Sequence, residues 1–379
     1  MFCAAKNKRI MKKAIPVNTP LLSGNELKYL TECIETGWIS SEGPFIRRFE
    51  EQFAAYTDRE HGIAVSNGSA ALDIAVKALG IGAGDEVIMP AFTIISPAQS
   101  VVTAGAKPVL VDCEADTWNM DVQQIEAKIT GRTKAVLVVH IYGLPVDMDP
   151  VLELCRKYSL LLIEDAAEMH GQMYKGRKCG SFGDISIFSF YPNKLITTGE
   201  GGMIVCNDEQ LAERCKKLRN LAFEPKGRRF VHEEIGWNYR MTNLQAAVGL
   251  AQLEKIDDHL QRKIEIGKRY RDLLQNLTGF QLPAAKTDFA ENCYWVFALV
   301  AETEQLQEET VRKLTENQIG TRPFFWCMHE QPVFQKMGLF QGESYPNAEK
   351  IARNGFYLPS GLGLANEEIE YVAQILLEK

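Results

Sequence analysis

The chain has 379 residues with a formal net charge of −7. That length exceeds one ordinary core, and an apolar content of 46% belongs to a globular protein rather than a disordered one. The acidic balance lacks the basic footprint of general nucleic-acid binding, although a few local cations can still hold one anionic small molecule.

Residues 1–14 read as a basic tail. Ser23-Gly24-Asn25 predicts the cap of a helix over 26–35 that stops at Gly37, and Pro44 opens a second helix, FIRRFEEQFAAY. From His61 a repeating order sets in. Short apolar strands are expected at 62–66, 86–90, 108–112, 135–140 and 160–165, separated by helices at AALDIAVKALG, 96–104, 122–129 and 148–158. This alternation predicts an α/β fold with a mostly parallel sheet covered on both faces. Beyond it come a helix at 208–218, a polar loop at 224–234 and a long helical stretch over 242–274. A smaller α+β part follows, with a strand at 294–300 and a helix near 308–317. A large domain over 15–250 and a smaller one over 251–379 are expected, meeting inside the long helix.

Nine cysteines are scattered singly, without a CxxC pair, so neither a zinc site nor a disulfide framework is expected. Cys33, Cys155 and Cys206 sit in apolar runs and read as small core residues. The basic N-terminal run has no long apolar segment, and no stretch reaches transmembrane length; a cytoplasmic location with no membrane partner is the expectation.

In a parallel sheet, ligands bind beyond the carboxyl ends of the strands. That rule selects Gly68-Ser69, 91–96, 140–142, 165–168 and 189–194. The run ISIFSFYPNKLITTGEGGMIV carries Lys194 in a loop between two apolar strands. Burial disfavours an ammonium, and a neutral amine is a nucleophile toward carbonyls; the plainer alternative is a surface loop with a solvated lysine. Asn67-Gly68-Ser69-Ala70 joins a strand to a helix, where amides, a glycine and a hydroxyl suit phosphate. An ordinary serine cap is the alternative there. Asp165 ends a strongly apolar strand and needs a donor partner, either a pyridinium N–H or a structural cation. A Schiff-base lysine, an aspartate for a ring nitrogen and a phosphate cup are three requirements of pyridoxal phosphate binding, and all fall at one sheet edge. The first strand–helix turn has no GxGxxG, which argues against a nicotinamide enzyme.

These residues lie in motifs that carry a resemblance. TGWISSEGPFIRRFE, SNGSAALDIAVKALGIGAGDEVIMP, IEDAAEMHG, GSFGDISIFSFYPNKLITTGEGGMI and GWNYRMTNLQAAVGLAQLE resemble the DegT/DnrJ/EryC1/StrS sugar aminotransferases of the aspartate aminotransferase fold class. ITTGEGGM and RPFFWCMH bring the chain nearest those members that aminate C4 of a GDP-linked 4-keto-6-deoxy sugar. The resemblance implies a pyridoxal 5′-phosphate enzyme taking an amino acid, glutamate first, and a nucleotide sugar. It assigns Lys194 to the covalent link with the cofactor, Asp165 to the ring nitrogen and Glu168 to the phenolic oxygen. Gly68, Ser69, the Ala70 amide and Ser189 would hold the phosphate. Asn238 would reach it from a second subunit of a homodimer with shared active sites.

Where many relatives have an aromatic stacked on the ring, this chain has Ile94, so either Ile94 or Phe92 would cover it. Lys226, Arg228, Arg229, Arg240 and Arg322 are cations available to a diphosphate, with a solvated basic turn as the alternative for the first three. Trp38 and His329 resemble positions near the sugar, while packing alone is the alternative for each. Amination of another keto sugar, at C3 or on a UDP or dTDP carrier, stays open. So does a non-catalytic regulator that keeps the fold.

Overall fold

A computed structural model describes residues 14–224 and 227–378. Most of the expected basic tail, with Cys3, and the loop cation Lys226 fall outside them. In chain order the strands are β1 (His61–Val65), β2 (Glu86–Pro90), β3 (Lys107–Val111), β4 (Thr133–Val139), β5 (Leu161–Asp165), β6 (Met173–Tyr174) and β7 (Arg177–Lys178). They continue with β8 (Ile185–Ser189), β9 (Gly202–Cys206), β10 (Phe280–Gln281), β11 (Phe297–Ala301), β12 (Arg322–Pro323) and β13 (Gly355–Leu358).

Seven of them form one sheet in the order β1-β9-β8-β5-β4-β2-β3. Only β9 in it runs against its neighbours, β1 and β8; the remaining pairs are parallel. The chain between β8 and β9 forms turns instead of a crossover helix, so β9 returns antiparallel. That return leaves the loop carrying Lys194 at the carboxyl edge of the parallel strands.

Successive strand residues point to opposite faces, and the apolar runs are long enough to fill both. Ile63, Val65, Val87, Met89, Leu137 and Ile163 pack into one core, while Ala64, Ile88, Val136, Val138 and Leu162 pack into the other. A third core lies between the helix Ile256–Leu274, β11, β13 and the last helix, around Tyr270, Phe297, Phe356 and Val372. It backs the second sheet, ordered β10-β11-β13-β12. The beginning of the described chain is tied to this region: Ile15 pairs with Ile319, and the Ser360 amide donates to the Val17 carbonyl.

Three local expectations are corrected. The long helical stretch is two helices, Asn243–Leu253 and Ile256–Leu274. Lys255 leaves helical geometry between them, and Asp257 and Asp258 favour a fresh N-terminus just beyond. Asn25 does not cap the first helix, because its side-chain amide donates to Glu254 at 2.6 Å. Glu26 instead folds back to accept from the Gly24 amide at 2.8 Å. The strand expected at 294 begins only at Phe297. Tyr294 is held in the left-handed region (φ 53°), its amide donating to the Asn292 side chain at 2.7 Å. This turn lies so close to Gly143 that a Cβ there would sit 2.5 Å from Asn292 Oδ1. Trp295 is thereby set against Tyr142, with ring centroids 6.0 Å apart and planes at 22°.

Candidate active site

β5 and β8 deliver the two central groups. Asp165 is the last residue of β5 and is buried. Among the described residues, its carboxyl has one hydrogen bond, from the Ala167 amide to Oδ1 at 3.1 Å. Burial pushes its carboxyl up to about 6, against that amide and the charge of Lys194. Glu168, one turn on, accepts from the Tyr142 amide at 2.8 Å, and burial pushes it up to about 7. Tyr142 can present that amide because its backbone is left-handed (φ 54°), a conformation an aromatic residue holds only under restraint from its surroundings.

Lys194 follows β8 in a loop bound at several points. The Phe190 amide donates to the Gly201 carbonyl at 2.8 Å, the Thr198 amide to the Phe190 carbonyl at 3.0 Å, and the Lys194 amide to the Tyr191 carbonyl at 2.9 Å. From outside, Asn18 donates to the Pro192 carbonyl at 2.8 Å, and Trp295 Nε1 to the Asn193 carbonyl at 2.9 Å. The Lys194 side chain is only 11% exposed and places Nζ 3.6 Å from Glu168 Oε1. Burial lowers its pKa, opposed by Glu168 and Asp165. The lysine is therefore enclosed, and the solvated-loop alternative does not describe it.

Beside these groups stands the N-terminus of the helix Gly68–Ala78. The cap is Asn67, which accepts from the Ala70 amide at 2.8 Å. That amide, expected at a phosphate, is engaged by the cap. The Gly68 and Ser69 amides lie in the first turn and have no intrahelical carbonyl. The Ser69 hydroxyl is 2.7 Å from that of Ser96. Gly68 is required by close approach, since a Cβ there would lie 2.9 Å from the Ser189 Cβ. The helix start and the end of β8 thus form one narrow cradle.

The remaining expected residues divide. Ile94 is 46% exposed at the same sheet edge, whereas Phe92 is fully buried among Tyr142, Phe324 and Phe325. Phe92 is a core residue. Asn238 is exposed and accepts from Arg240 Nε at 3.0 Å; Arg240 also donates to Asn220 at 2.7 Å. Arg229 is exposed, with its guanidinium 5.2 Å from the Phe230 ring centre. Arg322, on β12, lines a cavity of about 130 Å³ with Tyr191, Asn193 and Tyr357, next to the lysine loop. Trp38 is half exposed, its carbonyl accepting from Asn243 at 2.7 Å. His329 is buried, 3.1 Å from Glu349 and edge-on to Tyr345. Sequence reasoning missed Trp295, whose ring centre is 4.0 Å from Lys194 Nζ. Its only sequence signal was an aromatic residue within the strand expected at 294–300.

The residues present fit pyridoxal phosphate. Asp165 is a buried carboxylate short of donors, Thr93 Oγ1 is buried without a partner, and the Gly68 cradle is kept open by the missing side chain. Sheet order and site together define a transferase built around that cofactor. The chain belongs to the DegT/DnrJ/EryC1/StrS aminotransferase family, whose model matches residues 20–377. It is 42% identical over 370 residues to the GDP-perosamine synthase of Escherichia coli O157:H7, covering 97% of this chain and 98% of that one. The GDP-perosamine synthase of Caulobacter vibrioides is 43% identical over 364 residues, covering 96% and 97%. Among solved structures, Spr1654 from Streptococcus pneumoniae in its PLP form superposes with a TM-score of 0.90 at 25% identity, covering 96% and 98%. The protein is a pyridoxal-phosphate-dependent sugar aminotransferase. No described helix is long and apolar enough to cross a membrane.

Proposed function

We propose that the enzyme moves an amino group from an amino acid, L-glutamate first, to C4 of GDP-4-keto-6-deoxymannose. The likeness to two GDP-perosamine synthases across nearly the whole chain supports the sugar and its nucleotide. The observation that carries the chemistry is the enclosed Lys194 facing Glu168 and Asp165.

Pyridoxal phosphate supplies an aldehyde that captures amines and an electron-poor ring that stabilises negative charge on the adjoining carbon. Lys194 would hold it covalently, and the amine of Lys194 would be the group that moves the proton. A lowered pKa suits that work, since an acid–base group acts best near the working pH. The same amine serves the donor's α-carbon first and the sugar's C4 in the second half-reaction. Asp165 would keep a proton on the ring nitrogen, and that N–H would offset the cost of burying its charge. Glu168 would serve the phenolic oxygen. Ser69, Ser189 and the first-turn amides of the helix Gly68–Ala78 would hold the phosphate.

A homodimer would complete the site through Asn238. Support comes from exposed apolar side chains in the segment before Asn238, at Phe230, Val231 and Ile235, and from Leu27, Ile34 and Trp38 on or just after the first helix. Arg229, Arg240 and Arg322 remain the cations proposed for the diphosphate. The test loads the enzyme, adds glutamate, and offers GDP-, UDP- and dTDP-linked 4-keto-6-deoxy sugars while product mass is followed. Amination of the GDP sugar well ahead of the others is expected; preference for a UDP or dTDP carrier would overturn the substrate.

A further inference from the structure

Lys194 is surrounded by more than carboxylates. Glu168 lies at 3.6 Å, beyond a short charge-assisted hydrogen bond, and Asp165 and His170 are the other ionisable groups facing it. The remaining side is an indole. Trp295 is 3% exposed, its ring centre 4.0 Å from Lys194 Nζ, and its Nε1–H donates to the carbonyl of Asn193 in the lysine's own loop at 2.9 Å. Tyr142 stacks behind it, and that tyrosine's backbone amide is the donor to Glu168. One tryptophan thus touches both the charge of the lysine and the backbone of the residue before it, and through Tyr142 it is linked to the carboxylate opposite.

We propose that Trp295 is a positioning residue for Lys194: its indole face receives the freed ammonium, and its N–H fixes the loop that presents it. An aromatic face attracts a cation most strongly where water is excluded. It does so without adding a negative charge to a site that already holds two buried carboxyls. The lysine released from the cofactor then has a defined resting place, where it holds the proton taken up in each half-reaction until it is handed on within that same half-reaction. The inference rests on Lys194 being the lysine that carries the cofactor.

The test uses cofactor-free enzyme: wild type, Trp295→Leu and Trp295→Phe. Each is labelled with trinitrobenzenesulfonate, which reacts with neutral amines, across roughly pH 6 to 10, bracketing a lowered to an ordinary lysine. The Lys194 peptide is quantified by mass spectrometry, with exposed Lys134 as internal control. In Trp295→Leu the Lys194 midpoint falls by about one unit. In Trp295→Phe, which keeps a weaker aromatic face but no N–H, it falls by less, and cofactor uptake slows several-fold. A wild-type Lys194 profile in a folded Trp295→Leu enzyme overturns the proposal. If Trp295→Leu loses its thermal transition, Trp295→Phe decides: an unchanged midpoint with unchanged uptake overturns it. Borohydride reduction of loaded wild type separates the two claims. No cofactor mass on the Lys194 peptide defeats the lysine's assignment itself, whereas cofactor there with unmoved titrations defeats only the role of Trp295.

Discussion

Glu164 and Asp165 are neighbours on one strand, both buried, and the two faces of β5 treat them in opposite ways. Glu164 points into a saturated pocket. It accepts from the amides of Gly180, Phe182 and Gly183, from the Ser186 hydroxyl and from His140 Nε2. His140 donates from that nitrogen because its Nδ1 accepts from the Val146 amide at 3.0 Å. Burial alone would raise Glu164, but the His140 hydrogen bond and the amides overcome it and bring the carboxyl down to about 2. Asp165 has one amide donor and is pushed up to about 6. Burial is common to both; the supply of donors differs. A carboxylate whose donors are all in place holds structure together, and one left short of them is prepared for a ligand.

Two enclosed lysines repeat the lesson. Lys263, on the helix Ile256–Leu274, is buried more deeply than Lys194, and burial lowers it to about 8. It donates to the Ser360 carbonyl and has no carboxylate of the described residues in hydrogen-bond reach, so it ties that helix to the turn after β13. Lys194 has Glu168, Asp165 and Trp295 around it.

The comparison can be broken most severely at the lysines. Lys194→Ala should abolish product formation, exceeding the roughly 10²–10⁴-fold cost of losing an acid–base group alone. Its thermal transition should stay near wild type, whereas Lys263→Met should leave the half-reaction with glutamate within a few-fold. Next come the carboxylates. Glu164→Gln leaves amide donors facing an amide and should cost about 3 kcal/mol of stability, read from denaturant midpoints at constant slope. Asp165→Asn should leave the cofactor-free protein as stable as wild type or more so, while lowering turnover about 10²–10⁴-fold.

Acid titration sharpens the same contrast with opposite signs. Glu164 ionises in the folded state near 2, below its usual 4.5, so its contribution is present above about 4.5 and is lost as pH falls toward 2. Asp165 is raised from 3.8 to about 6. Its folded form holds a proton that the unfolded chain has released, so stability of cofactor-free protein falls as pH rises from about 4 to 6. Asp165→Asn should reduce that decline to the part Glu168 contributes as pH rises from about 4.5 to 7, and leave the acid limb intact. A smaller effect is expected at the cradle. Gly68→Ala puts a Cβ against Ser189 and should weaken cofactor binding about tenfold, in line with the usual cost of overpacking, as judged by fluorescence titration.

Much of this was legible before the structure because strand ends are legible. Asp165 ends an apolar strand, Glu168, Ser69 and Lys194 each follow one within five residues, and parallel strands bring such ends to one edge. What escaped notice depends on distant partners. Asn25 reads as a helix cap but is claimed by Glu254, and the break at Lys255 is hidden in an unbroken helical pattern. Phe92 and Ile94 look equally able to cover a ring until Phe324 and Phe325 enclose the first. Trp295 lies a hundred residues from the lysine it touches, placed there by the Asn292–Tyr294 turn against Gly143.

The most direct measurement of the central claim is to load the enzyme with pyridoxal phosphate, reduce it with borohydride and map the modified lysine by peptide mass spectrometry. The cofactor's mass is expected on the peptide containing Lys194 and on no other. Modification of Lys263 or of an exposed lysine, with Lys194 unlabelled, would contradict it.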